Sequence, residues 1–204
     1  MQRLLLTACF ILCSISGLAL ALFPQGAAPD YRVVVLGHFD AETLAAFNQR
    51  IENYASLRSK LEEGLPPLRV TANADEIEAF ERALARRLRD SRGSKPSRIF
   101  PSAMRRQIRW LLVTQADAAT IEMIMDDNPG EFGVDINETY SRDRPVATMP
   151  PKILQLLPDL PRDVEYRFVG RHLILYDVRA NMVIDEITYA LRCRNCAVPP
   201  EDDH

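Results

Sequence analysis

The chain has few of the residues from which catalytic and metal centres are usually built. It contains four cysteines, three histidines and eight glycines among its 204 residues. His38 and His172 lie in the body of the chain, and the third histidine is the last residue, His204. No GxSxG, HExxH, Walker or GxGxxG motif is present. The sequence therefore predicts no catalytic residue from a motif, no cofactor and no metal site.

The four cysteines form two separate pairs. Cys9 and Cys13 lie in an apolar N-terminal run, whereas Cys193 and Cys196 lie near the C-terminus. The second pair lacks the histidine of a CxxCH haem site, since Ala197 follows it, and a zinc site needs about four ligands. In an oxidising compartment a local Cys193–Cys196 disulfide is the prediction, and a redox-active pair is the alternative.

The N-terminus predicts export. Arg3 is followed by the uncharged run LLLTACFILCSISGLALAL and the small-x-small site Ala19-Leu20-Ala21. This pattern is typical of a secretory signal peptide, here residues 1–21. An uncleaved anchor over residues 4–22 is the alternative, because about 19 apolar residues just span a bilayer. Either interpretation places the rest of the chain in the periplasm or outside the cell, with membrane contact through residues 4–22 if the segment stays.

Apolar periodicity predicts a helical N-terminal half. Four helices are expected, beginning after Asp40, after Asn73, at Pro101-Ser102 and at Asp117. The first of them is ended by Gly64 and two prolines. One polar residue, Arg58, interrupts its apolar stripe and is interpreted as snorkelling at the edge of the packed face. The segment from 131 to 150 shows no period and is predicted to be irregular.

The C-terminal half predicts a β-meander. Val164, Tyr166 and Phe168 alternate with polar residues, and Gly170-Arg171 then offers a two-residue turn of type II′. Further strands are predicted over His172–Asp177 and Met182–Ile187. In this register Phe168 faces Leu173 and Tyr166 faces Leu175, on the face that meets the helices.

Together these elements predict an α+β fold in which the helical half packs on a three-stranded antiparallel β-meander. The expected organisation is a lead over residues 22–39, one domain over residues 40–197 and an acidic, disordered tail over residues 198–204. The predicted core consists of Leu44, Phe47, Ile51, Ile77, Phe80, Leu84, Tyr166, Phe168, Leu173 and Leu175.

Charge is distributed unevenly along the chain. Ten basic residues and one acid lie between Arg82 and Arg109, and ten acids with four basic residues lie between Ala116 and Asp163. The basic strip is a candidate site for an anionic partner; a solvated helix face, or neutralisation of the acidic segment, is the alternative. The overall charge of −3 gives no indication of nucleic-acid binding. The candidate binding residues are Arg86, Arg87, Arg89, Arg105, Arg106 and Arg109.

Two stretches, LPPLRVT at 65–71 and LPDLPRDVEYRFVGRHLILYDVRANMVID at 157–185, resemble exported bacterial proteins of uncharacterised function. The resemblance implies export and no particular activity. The functional hypothesis is an exported, non-enzymatic protein that binds a partner protein or an anionic envelope component. The alternatives are an exported hydrolase that uses His172 or His38 with a nearby carboxylate, and a membrane-anchored envelope protein.

Overall fold

The computed structural model describes residues 37–68, 72–93, 98–128 and 133–191. Helices come first and an antiparallel sheet follows, so the predicted α+β class and the N-terminal position of the helices are confirmed. The sheet order is β1-β2-β3-β4. In chain order the elements are α1 (Ala41–Glu63), α2 (Ala74–Arg92), α3 (Ser102–Gln115), α4 (Ala118–Asp126), β1 (Ala147–Thr148), α5 (Pro151–Leu154), β2 (Val164–Val169), β3 (His172–Asp177) and β4 (Met182–Ile187).

Three of the helices begin at polar side chains that satisfy backbone donors of the first turn. Short carbonyl-bearing side chains suit this position because the first N–H groups of a helix have no partner within the helix. The predicted starts are confirmed at each of them: Asp40 accepts from the N–H of Thr43 at 2.8 Å, Asn73 from Asp75 at 3.1 Å and Asp117 from Thr120 at 2.8 Å.

The cap of α4 leads to a pH prediction. Hydrogen bonds from the hydroxyl and the N–H of Thr120, together with the ammonium of Lys152, lower the pKa of Asp117 from 3.8 to about 2. A carboxyl with a lowered pKa adds stability above pH 3.8, and this stability is lost as the pH falls toward 2. We therefore expect Asp117→Asn, which keeps a good capping residue, to flatten the fall in unfolding free energy across that interval. The free energy of unfolding is measured for both proteins by urea denaturation at a series of pH values.

The control for this prediction is Asp159→Asn. Asp159 is exposed and forms no hydrogen bond or ion pair within the described part of the chain, so this variant removes one negative charge without changing the cap of α4. A change of slope that Asp117→Asn shows and Asp159→Asn does not show belongs to the cap. If Asp117→Asn and the wild type lost stability equally between the two pH limits, the cap would not be the source of the slope.

The β2–β3 hairpin matches the predicted register. Phe168 pairs with Leu173 and Tyr166 pairs with Leu175. Gly170 adopts a φ of 55°, and Arg171 is not among the residues with positive φ, as a type II′ turn requires. Glycine is needed at the first turn position because an L side chain rarely adopts this conformation.

The sheet has four strands, so the prediction of three was wrong in number. Ala147 pairs with Phe168 and Thr148 with Arg167, inside the segment predicted to be irregular. A two-residue strand has no alternation that a sequence pattern can detect. At the opposite edge an isolated bridge joins Thr139 to Met182.

The main core lies between the helices and one face of the sheet. Eight of the ten predicted core residues are buried there; Leu44 and Ile77 are only partly buried. Phe39, which the sequence placed in the lead, is also part of this core. A smaller apolar cluster covers the other face of the sheet and contains Tyr140, Val169, Ile174 and Val183.

Several predictions fall outside the described residues. These are the signal segment over 1–21, most of the lead, the Cys193–Cys196 disulfide and the acidic tail over 198–204. Within the described ranges, none of the helices has the length and apolar character needed to cross a membrane.

Candidate interaction surface on helix α3

Helix α3 has two faces of different character. Met104, Ile108, Leu111 and Leu112 are buried in the core. They recur at three- and four-residue steps, so they share one side of the helix. The sequence pattern predicted this face. Everything on the opposite side is left for solvent or a partner.

The outer face of α3 combines apolar and cationic side chains. Trp110 is 59% exposed and Val113 is 53% exposed. Arg106 and Arg109 lie on the same side, because at 3.6 residues per turn these four positions fall within an arc of about 100°. The sequence of α3, SAMRRQIRWLLVTQ, contains three arginines and no acidic residue. A large indole and a valine are therefore exposed beside two positive charges.

Two arginines hold α3 against the sheet. Arg105 donates to Asp185 Oδ1 at 2.8 Å and also to the backbone carbonyl of Glu186. One turn later Arg109 donates to the carbonyl of Thr188 at 3.1 Å. These bonds fix the helix along β4 and its C-terminal extension, so the outer face is presented by a rigid element.

The contact of Arg109 brings the helix next to a second aromatic residue. Tyr189 directly follows Thr188, is 39% exposed and has a φ of 47°, which is unusual for a bulky residue. The guanidinium of Arg171 lies 5.1 Å from the centre of its ring, and the His172 ring lies 5.0 Å from it. Together with the outer face of α3 they form an arginine–aromatic surface, which consists of Arg106, Arg109, Trp110, Val113, Arg171 and Tyr189.

The structure places the six predicted arginines in different environments. Arg105 and Arg109 bind the sheet region, as described above. Arg87 donates to the carbonyl of Leu61 at 3.0 Å, and Arg89 donates to the carbonyl of Asn137 at 3.1 Å and pairs with Glu138. Two of the six, Arg86 and Arg106, are exposed and have no recorded contact with another described residue. The basic strip of the sequence is therefore largely used to join elements of the fold.

A buried ionic network lies between the helices and the sheet. The carboxylates of Asp177 and Asp185 are fully buried, and burial raises the pKa of both above the ordinary value. Tyr54 donates to Asp177 Oδ2 at 2.6 Å, and burial raises the pKa of its hydroxyl well above the usual range. Arg58 lies 3.7 Å from Asp177 Oδ1. The interpretation of Arg58 as a snorkelling residue was wrong, because its guanidinium is buried at this network.

The surroundings of His172 give little support for a catalytic role. His172 Nδ1 lies 3.2 Å from Glu186 Oε2, with both side chains mostly buried. Two of the open grooves among the described residues, of about 420 Å³ and 230 Å³, have no histidine in their lining. The larger is lined mainly by apolar residues beside β2, and the smaller by charged and polar residues such as Glu81 and Arg142. Among the described residues no group of three His, Cys, Asp or Glu side chains is placed to hold a metal ion.

Sequence reasoning found part of the arginine–aromatic surface. Arg106 and Arg109 were candidate residues, whereas Trp110, Val113, Arg171 and Tyr189 were not. One observation was accessible in the sequence: Trp110 and Val113 fall off the apolar stripe of α3, on its polar side. Tyr189 had no comparable pattern, because its position depends on where β4 ends.

Comparison of the chain with protein-family models, curated proteins and solved structures found no match. The similarity to exported bacterial proteins accordingly stays a prediction.

Proposed function

We propose that the chain is an exported, non-enzymatic protein that binds an anionic component of the cell envelope through the arginine–aromatic surface. The observation that carries this proposal is the outer face of α3, where exposed Trp110 and Val113 lie beside Arg106 and Arg109. The predicted signal peptide supports the compartment. If that segment is not cleaved, the same surface belongs to a protein anchored through residues 4–22.

The composition of the surface favours an anionic partner. Arginine binds phosphate and carboxylate oxygens in a bidentate manner. Trp, Tyr and Arg are also the residues that contribute most to binding surfaces, because they combine a large contact area with directed polar groups. Two apolar side chains left exposed side by side on a folded helix indicate contact with a partner rather than with water alone.

A binding role is better supported than a hydrolytic one. The alternative hydrolase would use His172 with a carboxylate, and Glu186 is such a neighbour. A general base must also reach a substrate in a cleft. His172 lies outside both described grooves and packs against Tyr189. This arrangement favours His172 as a support for the tyrosine ring.

Charge reversal at one arginine tests the proposal. Arg106→Glu is expected to weaken binding of the secreted chain to isolated cell envelopes of its host roughly thirtyfold, since charge reversal removes a cation and adds an anion, and each charge near an anionic surface contributes about 1 kcal/mol. The measurement is co-sedimentation over a range of envelope concentrations at low and high salt. Added salt should weaken binding of the wild type.

Arg86→Glu is the matched control. Arg86 is also exposed, has no recorded contact with another described residue and lies on α2 instead of α3. It should bind envelopes like the wild type. Equal losses for the two variants would show that only net charge matters, and an unchanged Arg106→Glu would place the site elsewhere; either result contradicts the proposed surface. Circular dichroism establishes that both variants are folded.

A further inference from the structure

We infer that the envelope component is a phospholipid bilayer that contains anionic lipid, and that Trp110 and Val113 enter its interfacial region. This inference rests on the proposed function and names its partner. It makes the protein a peripheral binder whose α3 lies flat on the membrane. A soluble anionic polymer and a second copy of the chain are the competing occupants of the surface.

The apolar residues distinguish a bilayer from a soluble polyanion. A soluble polyanion is bound by charges and hydrogen-bond donors. It offers no apolar environment in which an exposed valine could be buried. Val113 is 53% exposed and lies three residues after Trp110, so the two side chains are neighbours. Tryptophan concentrates at membrane interfaces because its ring is apolar and its N–H is polar. The pair is therefore suited to the boundary between headgroups and acyl chains.

The positions of the arginines agree with this orientation. Arg106 precedes Trp110 by one helical turn, and Arg109 precedes Val113 by one turn, so a cation flanks each apolar side chain. The exposed Arg106 extends to the phosphates while its apolar neighbours lie deeper in the interface. Arg109 keeps its bond to Thr188 and adds positive charge beside them. Among the carboxylates beside α3, Asp185 pairs with Arg105, Glu186 lies against His172, and Asp40 accepts a hydrogen bond from Gln107 of the helix. The helix itself carries three arginines and no acidic residue, which suits contact with an anionic bilayer.

The depth of contact is limited by the fold. The inner face of α3 is buried in the core and its Arg105 is bonded to the sheet, so the helix cannot enter the bilayer completely. A helix of 14 residues is about 21 Å long, which gives a short, shallow footprint. Tyr189, held between Arg171 and His172, supplies a second aromatic contact beyond the helix.

Trp110 makes the test direct because it is the single tryptophan of the chain. Its fluorescence is measured with vesicles of phosphatidylcholine alone and with vesicles that also contain phosphatidylglycerol. The expected result is a blue shift and protection from acrylamide quenching with the anionic vesicles, reduced by added salt. No shift with anionic vesicles at low salt would overturn the inference.

A neutral substitution separates insertion from charge attraction. Val113→Ser keeps Trp110 and every arginine, and removing the apolar side chain should weaken vesicle binding roughly fivefold. Val178→Ser is the matched control, because Val178 is also an exposed valine and lies in the β3–β4 turn. Equal affinities for Val113→Ser and Val178→Ser would overturn the inference.

A soluble polyanion distinguishes failure of the inference from failure of the proposed function. Polyphosphate is the probe, and its binding is measured by calorimetry with the wild type and Arg106→Glu. Arg106-dependent binding of polyphosphate without any response to anionic vesicles would overturn the bilayer and leave the anionic envelope component standing. Absence of both responses would remove both proposals. A blue shift that rises with protein concentration in the absence of vesicles would assign the surface to self-association and overturn the inference.

Discussion

Replacing Asp185 with alanine is expected to lower the free energy of unfolding by about 3–5 kcal/mol. Asp185 lies in β4 and is fully buried. It accepts hydrogen bonds from Arg105 at 2.8 Å, from the N–H of Phe100 at 2.7 Å and from the N–H of Glu186 at 2.8 Å. One carboxylate therefore joins the start of α3 and the preceding loop to the sheet.

The size of this loss in unfolding free energy follows from the polar groups that the substitution leaves without a partner. Without Asp185 the guanidinium of Arg105, which is only 16% exposed, loses its ion-pair partner. The buried N–H of Phe100 loses its acceptor as well. A buried donor without a partner costs about 1–3 kcal/mol, and a buried charge costs more. The variant also leaves a small cavity in the helix–sheet interface.

Urea denaturation of Asp185→Ala and Asp185→Asn measures this contribution. Asparagine keeps an acceptor oxygen for the N–H of Phe100 and leaves no cavity, but it loses the charge and places an NH2 donor where Oδ1 accepts from Arg105 and Glu186. The stability loss of Asp185→Asn should therefore be smaller than that of Asp185→Ala. Asp159→Ala, at an exposed position, should change stability by about 0.5 kcal/mol at most. A loss below about 1 kcal/mol for Asp185→Ala would contradict the role given to this carboxylate.

Local chemistry explains which parts of the fold were predictable. At the helix starts, the carboxylates of Asp40 and Asp117 accept from backbone N–H groups three residues later. The β2–β3 register depends on Gly170 and on the alternation beside it. In each case the residues that decide the structure are adjacent in the sequence, so a short window contains the necessary information.

The ionic network was not predictable from the sequence, because its members are far apart along the chain. Arg105 and Asp185 are separated by 80 residues, and Tyr54 and Asp177 by 123. A sequence shows that Asp185 interrupts an apolar strand, but it does not show which cation or backbone donor will meet it. The same limit applies to the basic strip, whose arginines look alike in sequence and differ only in which carbonyl or carboxylate the fold brings to them.

Arg58→Leu is expected to lower the free energy of unfolding by about 3 kcal/mol or more. The guanidinium of Arg58 donates to the carbonyl of Arg162 at 2.8 Å and to Asp163 at 3.4 Å, and lies 3.7 Å from the buried Asp177. Leucine fills part of the volume but supplies no positive charge. Asp177 would keep Tyr54, backbone N–H groups and its electrostatic interaction with Arg92, so a buried carboxylate would lose the counter-ion that lies 3.7 Å from it.

Two further variants decide whether charge or shape matters at position 58. Arg58→Lys keeps the charge, but a single ammonium cannot reproduce the planar donor geometry that reaches a carbonyl and two carboxylates; its stability should lie between those of the wild type and Arg58→Leu. Arg82→Leu removes an exposed i,i+4 pair with Glu78 and should cost about 0.5 kcal/mol or less.

A double-mutant cycle with Asp177→Asn identifies the partner. If Arg58 acts mainly by neutralising Asp177, the loss caused by Arg58→Leu should be clearly smaller when Asp177 is already uncharged. Additive losses would instead assign the effect to the bonds with Arg162 and Asp163. A leucine variant as stable as the wild type would show that apolar packing replaces the ion pair, as it does in some proteins. Arg58 interrupts an otherwise apolar helix face, and a stability loss of either kind would explain why a charged residue in the middle of that face stabilises the fold.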